Sequence, residues 1–119
     1  MMSIDIETEP ITQSEAILQT VLDYFEGWFE GDVTRMDRAL HRDLVKRRVG
    51  NEPGTTNKPR MLQLTWEGAG RQDAGDGRVE DVYGDIASAT VHSEIYHEYV
   101  HLVRTADGWK IANALWRRS

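Results

Sequence analysis

Residues 92 to 102 read HSEIYHEYVHL and bring His92, His97 and His101 into one strand-like run, with Glu94 and Tyr99 between them. Imidazole acts as a metal ligand, as a proton shuttle titrating near neutrality, or as a plain hydrogen-bonding group, and its neighbours decide which. If the run were a single strand, His92 would face one side and His97 with His101 the other, because the side-chain period is two. A three-histidine metal site would then be impossible. The run is too long for an ordinary strand, so a turn is expected near Tyr96 and His97. An even-numbered loop there sets His92 opposite His101 and leaves His97 in the turn.

Each use of these histidines demands different company. A metal site needs His92, His101 and a carboxylate such as Glu94 to converge; that convergence rests on the inferred register alone, so no metal and no cofactor are expected. As acid/base groups, His101 and His92 are the best catalytic candidates, with Glu94 to orient or charge-pair them. Such a group contributes about a hundred- to ten-thousandfold in rate. Hydrogen bonds to Asn113 or Tyr99 in a partly buried sheet account for the same histidines without any chemistry.

The elements that must position them begin with the hairpin signal TADGW, residues 105 to 109. It suits a three-residue loop with Gly108 in a left-handed bulge, which pairs Thr105 with Trp109. Counting back puts Val103 opposite Ile111, His101 opposite Asn113 and Tyr99 opposite Leu115. His92, Glu94, Tyr99, His101 and Asn113 then share one face with apolar Val103, Trp109, Ile111 and Leu115, the composition of a small-molecule pocket. The opposite face carries Ala87, Ala89, Val91, Val100, Leu102, Ala112, Ala114 and Trp116. Small and apolar, that face must be covered; with the helices assigned to the first face, the expected cover is a second copy, giving a homodimer through the outer sheet face.

The helices precede these strands. TQSE, residues 12 to 15, is a capping-box signal, and apolar residues recur at helical spacing from Ile17 to Phe29 before Gly31 ends the stripe. Asp32 can cap a shorter helix that runs to His41, whose protonated ring would suit a helix C-terminus. A short strand, DLVKRRV, follows. Pro59 fits the first turn of a third helix, PRMLQLTWE. From Arg78 onward the period is alternating, with strands VEDVY, IASATVHSE, EYVHLVR and WKIANALW. Helices followed by a strand meander indicate an α+β fold. Tyr24 and Trp28, one helical turn apart, and Trp66 on the third helix are aromatic candidates for the pocket wall, although aromatics at this spacing are more often core.

With 119 residues the chain suits one domain, residues 12 to 119 behind a tail of residues 1 to 11, able to bury roughly two-thirds of its unfolded surface. The absence of cysteine excludes disulfides and thiolate zinc sites. A net charge of −6, with acids and no Lys or Arg in the first thirty residues, disfavours nucleic acid as a partner. The basic run RMDRALHRDLVKRR is broken by Asp37 and Asp43 and reads as solvated charge. No stretch matches a signal peptide or membrane span, so a cytoplasmic protein with no membrane partner is expected.

The run DVYGDIASATVHSEIYHEYVHLVRTADGWKIANALW, together with YFEGWFEGD, ALHRDLVKR and LTWEGAG, resembles the nuclear transport factor 2-like proteins and, within them, the family described as Putative lumazine-binding. The resemblance covers residues 12 to 117. It implies a strongly curved antiparallel sheet wrapped around helices as a cone-shaped α+β barrel, commonly dimeric. Ketosteroid isomerase, scytalone dehydratase, polyketide cyclases and non-catalytic binders share that fold, which therefore selects no reaction. No catalytic dyad from those enzymes transfers to this sequence. The expectation is a binder of a small aromatic or heterocyclic ligand, open to lyase- or isomerase-like chemistry. Its expected contacts are Tyr24, Trp28, Trp66, His92, Glu94, Tyr99, His101, Trp109 and Asn113. The alternative is a non-catalytic dimeric accessory or assembly module with a residual pocket.

Overall fold

Apolar side chains repeated over residues 17 to 29 must be covered, and the computed structural model, which describes residues 12–71 and 74–119, shows by what. The expected tail, residues 1–11, lies outside the described residues. Helix α1 (Gln13–Glu30) starts at Thr12, whose hydroxyl accepts a hydrogen bond from the Glu15 N–H, and stops at Gly31 in the left-handed conformation (φ 72°). Its face of Ile17, Val21, Tyr24 and Phe25 is buried. Asp32 caps α2 (Val33–Ala39) and Asn57 caps α3 (Lys58–Trp66), with Pro59 in the first turn. His41 does not end a helix: it lies in strand β1 (Leu40–Arg48), where its Nδ1 accepts from the Asp43 N–H at 3.0 Å, so the dipole argument does not apply.

Five further strands complete one sheet: β2 (Gly54–Thr56), β3 (Gly75–Tyr83), β4 (Ile86–Ser93), β5 (Tyr96–Thr105) and β6 (Gly108–Arg118). Their order is β2-β1-β6-β5-β4-β3. The α+β class holds, with two corrections. The sheet is mixed, because β1 and β6 run parallel while every other pair is antiparallel. It is also open, with β2 and β3 as edges. The long excursion through α3 and the three hairpin turns of β3 to β6 returns β6 to β1 in the same direction, a connection that a single hairpin cannot make.

The helices cover the face opposite to the expected one, and two local pairings also differ from expectation. First, β4 and β5 turn at Glu94 and Ile95, so His92 pairs with His97 and His101 with Ser88. The Ser93 hydroxyl closes that turn by accepting from the N–H groups of Ile95 and Tyr96 at 3.1 and 3.2 Å. Second, β5 and β6 pair as Thr105 with Gly108 and Val103 with Lys110, then skip Ala112 before resuming as His101 with Asn113 and Tyr99 with Leu115. Gly108 has the expected positive φ (105°), but the extra residue sits in mid-strand rather than at the turn. A one-residue slip exchanges the faces of every residue on one side of it. Trp109 and Ile111 therefore join Ala114 on the inner face, while Asn113 and Leu115 stay outside with Tyr99 and His101.

Helices, not a second copy, cover the face of Ala87, Ala89, Val91, Val100, Leu102, Ala114 and Trp116, which packs into the same core as Ile17, Val21 and Phe25. Small residues let α1 come close. Gly77 of β3 makes the point, since a Cβ there would stand 2.7 Å from Val21 Cγ1 and 2.8 Å from the Phe25 ring. Among the described residues no helix is long and apolar enough to cross a membrane.

Candidate functional site

Strand β5 directs Tyr96, Glu98, Val100 and Leu102 inward, so a carboxyl group enters an apolar row. Glu98 is 0% exposed. A buried carboxylate needs partners, and two elements supply them. From α1, the Tyr24 hydroxyl donates to Glu98 Oε2 at 2.7 Å. From β1, the Lys46 ammonium lies 3.2 Å from the same oxygen and donates to the Tyr24 hydroxyl at 2.5 Å. Glu98 Oε1 has no hydrogen-bond partner among the described residues. Burial first, and then the negative charge of Glu98, push the Tyr24 hydroxyl well above its ordinary value of 10.0, so it stays protonated and remains the donor to Glu98.

Aromatic rings surround this cluster. The Lys46 nitrogen lies 5.1, 5.8 and 5.4 Å from the ring centroids of Tyr24, Trp28 and Trp116. Tyr96 meets Trp116 edge-on at 5.8 Å, and the Arg48 guanidinium carbon lies over the Trp116 ring, 5.0 Å from its centroid. Beside the cluster opens a cavity of about 140 Å³, lined by Trp28, Lys46, Ile95, Tyr96, Trp116, Arg118 and the segment Ala69 to Arg71. Gly70 has no Cβ for a reason: one there would stand 2.4 Å from the Trp28 indole. Chemically, the arrangement offers a flat apolar slot with a nearly buried ammonium in its wall; the Lys46 side chain is 11% exposed. An ammonium in that setting binds an oxygen that carries or develops negative charge.

The residues named from sequence divide into three groups. Tyr24 belongs to the buried cluster and Trp28 to the cavity wall. Trp109 is buried in the core away from the cavity, its carbonyl accepting from the Thr20 hydroxyl at 3.2 Å. The others are not at the cavity. His92, Tyr99, His101 and Asn113 stand on the outer face, with the His92 and His97 rings 5.1 Å apart; Glu94 is exposed in the β4–β5 turn, and Trp66 is 75% exposed on α3. Among the described residues no three His, Cys, Asp or Glu side chains gather as a metal site.

Sequence reasoning missed Lys46 and Glu98. The signal for Glu98 was its parity: it alternates with Tyr96, Val100 and Leu102, so an acid on that row must find a buried partner. Lys46 alternates in the same way with Leu44, but it was hidden in a basic run.

The pattern of the family described as Putative lumazine-binding matches residues 12–117. The chain belongs to that family. Among solved structures, this Putative lumazine-binding family member is similar to an NTF2-like protein of unknown function from Silicibacter pomeroyi, with 17% identity, a TM-score of 0.74, and coverage of 92% of this chain and 100% of that one. An NTF2-like protein of unknown function from Methylobacillus flagellatus is 20% identical with a TM-score of 0.70, covering 88% and 90% of the two chains. A ketosteroid isomerase-like protein from Erwinia carotovora is 16% identical with a TM-score of 0.66, covering 89% and 95%. At these identities the likeness establishes the NTF2-like fold. No protein with a curated description matches the sequence significantly.

Proposed function

We propose that the protein binds a small aromatic or heterocyclic ligand in the cavity beside Lys46, with Trp28, Tyr96 and Trp116 as walls. The observation that carries this reading is the Lys46 ammonium, held by Tyr24 and Glu98 and ringed by aromatic faces at the wall of a cavity of about 140 Å³. Replacing a buried ion pair by apolar residues is often neutral or stabilising, so stability alone is a weak reason to keep this cluster. The family's name points to a lumazine as one heterocycle of this kind, and the ketosteroid isomerase-like neighbour to isomerase chemistry. In a lyase- or isomerase-like step, Lys46 would stabilise a developing enolate oxygen and Glu98 would be the nearest carboxylate.

Lumazine titrated into the protein should quench the fluorescence of Trp28 and Trp116, read in a Trp66→Phe background to remove the exposed indole. Gly70→Ala forces the Trp28 ring to move and should weaken binding about tenfold. Absence of quenching across a panel of lumazine and one-ring aromatics, or unchanged binding in Gly70→Ala, overturns the reading.

A different observation favours self-association. The outer face exposes Ile86, Tyr99, Leu115 and Val45 at 54%, 55%, 44% and 49%. On that face β3 carries acidic Asp76, Glu80 and Asp81 against one base, Arg78, which pairs with Glu80, while Arg47 and Arg117 stand on β1 and β6, at the other side. A two-fold axis along the strands would lay the acidic side of one copy on the basic side of another. We infer a homodimer through this face, with Leu115→Glu expected to give monomers by light scattering. A wild-type monomer at high concentration overturns it. Dimers without any ligand binding would favour the accessory-module reading.

A further inference from the structure

We propose that the cavity selects a ligand bearing an anionic carboxylate on a single aromatic ring; this rests on the reading that the cavity binds a ligand. Three cations, Lys46, Arg71 and Arg118, contribute to its lining, and no acid does among the described residues. The whole chain carries a net charge of −6, so this is a local reversal of sign rather than a sample of a basic surface. Elsewhere Arg35 and Arg38 pair with Asp23, Arg48 with Glu52, Lys58 with Asp37 and Arg78 with Glu80, while Arg47, Arg60, Arg104, Lys110 and Arg117 have no ion pair among the described residues. Neither Arg71 nor Arg118 has an ion pair among the described residues. Among the described residues Glu98, set behind Lys46, is the acid that pairs with a lining cation.

The aromatic rings narrow the choice further. Tyr24, Trp28 and Trp116 could cage a ligand cation, but Lys46 already occupies that cage, and a second cation would meet its charge at close range. An anion meets the opposite field: a nearly buried ammonium on one side and two planar forks at the rim, the geometry that carboxylates accept in pairs of hydrogen bonds. Size limits the organic part. A cavity of about 140 Å³ is close to the roughly 150 Å³ that accommodates benzene, so one ring enters and a second would project past Ile95 and Arg118.

The probes are benzoate, its neutral isostere benzamide, and inorganic phosphate, titrated by calorimetry into the full chain at low and high salt. The expected result is benzoate binding at least about tenfold tighter than benzamide, with the preference shrinking in salt and in Arg118→Gln, while benzamide affinity is unmoved by that substitution. Arg118 ends β6 at an exposed position, so its variant should fold. Lys46→Met/Glu98→Gln, which removes the buried pair together, should abolish the preference. Equal binding of benzoate and benzamide overturns the inference and leaves a ligand cavity standing. Phosphate as tight as benzoate overturns it too, since the ring would then be idle. No binding by either aromatic probe overturns both.

Discussion

On β5, Glu98 points inward and is 0% exposed, while His97, Tyr99 and His101 on the same strand point outward into solvent or a shallow outer surface. Both rows are rich in groups capable of chemistry. Only the inner row is dry. Around Glu98 a hydroxyl and an ammonium are fixed at hydrogen-bonding or ion-pair distance, and three aromatic rings surround that ammonium. Around the outer histidines, water competes for every polar contact and screens every charge. Side-chain type marks a residue as capable of a reaction; burial with defined partners decides which residues can be held to one.

The largest effect should come from deleting Lys110, the one residue that separates Trp109 from Ile111 on β6. Adjacent strand residues face opposite sides, so one of these two side chains would be forced to the wet side and lose about 1.5–3 kcal/mol of burial. Loss of a cooperative thermal transition is expected by circular dichroism. A variant that melts like the parent would show that the alternation of β6 does not hold these side chains in the core.

Next in size is Lys46→Met, which strands the Glu98 carboxylate and should cost about 3–5 kcal/mol in urea denaturation. Adding Glu98→Gln should recover most of that loss. If the double variant is no more stable than the single one, the inner cluster is not a coupled pair.

A smaller effect is expected from pH. Because the folded Tyr24 hydroxyl holds its proton well above 10.0, whereas an unfolded one releases it near that value, stability is fully present below about pH 10 and falls as pH rises beyond it. Tyr24→Phe should flatten that alkaline limb in denaturation curves, and an unchanged limb would count against the buried donor. Smallest of all, His92→Ala and His101→Ala should each shift stability by no more than about 0.5 kcal/mol and leave aromatic-ligand affinity unaltered. A tenfold loss of affinity in either would move the site back to the outer row.

Local signals in the sequence were reliable where the physics is local. Thr12, Gly31, Asp32 and Pro59 act within one helical turn, and each stands where its capping or turn chemistry places it. The hairpin signal at Asp107 and Gly108 put the pairs nearest the turn one residue out of register, and His101 with Asn113 and Tyr99 with Leu115 match expectation because the extra residue at Ala112 makes up the difference. The bulge at Ala112 carries no glycine or proline to announce it, and the turn at Glu94 and Ile95 is closed by a serine hydroxyl instead. The parallel pairing of β1 with β6 and the meeting of Tyr24 with Glu98, 74 positions apart, depend on the whole chain being assembled. No window of sequence contains them.

The position of β6 between β1 and β5 has a consequence for biosynthesis. As the chain emerges from a ribosome, β1 and β5 each expose an unsatisfied backbone edge until β6 arrives to join them, and the two halves cannot close on one another before then. The charges of β1, RDLVKRR, lie along one of those waiting edges and would discourage stray strand pairing in the interval. What looks in the finished fold like a plain basic run would thus serve as a guard during the slow, non-local step that completes it.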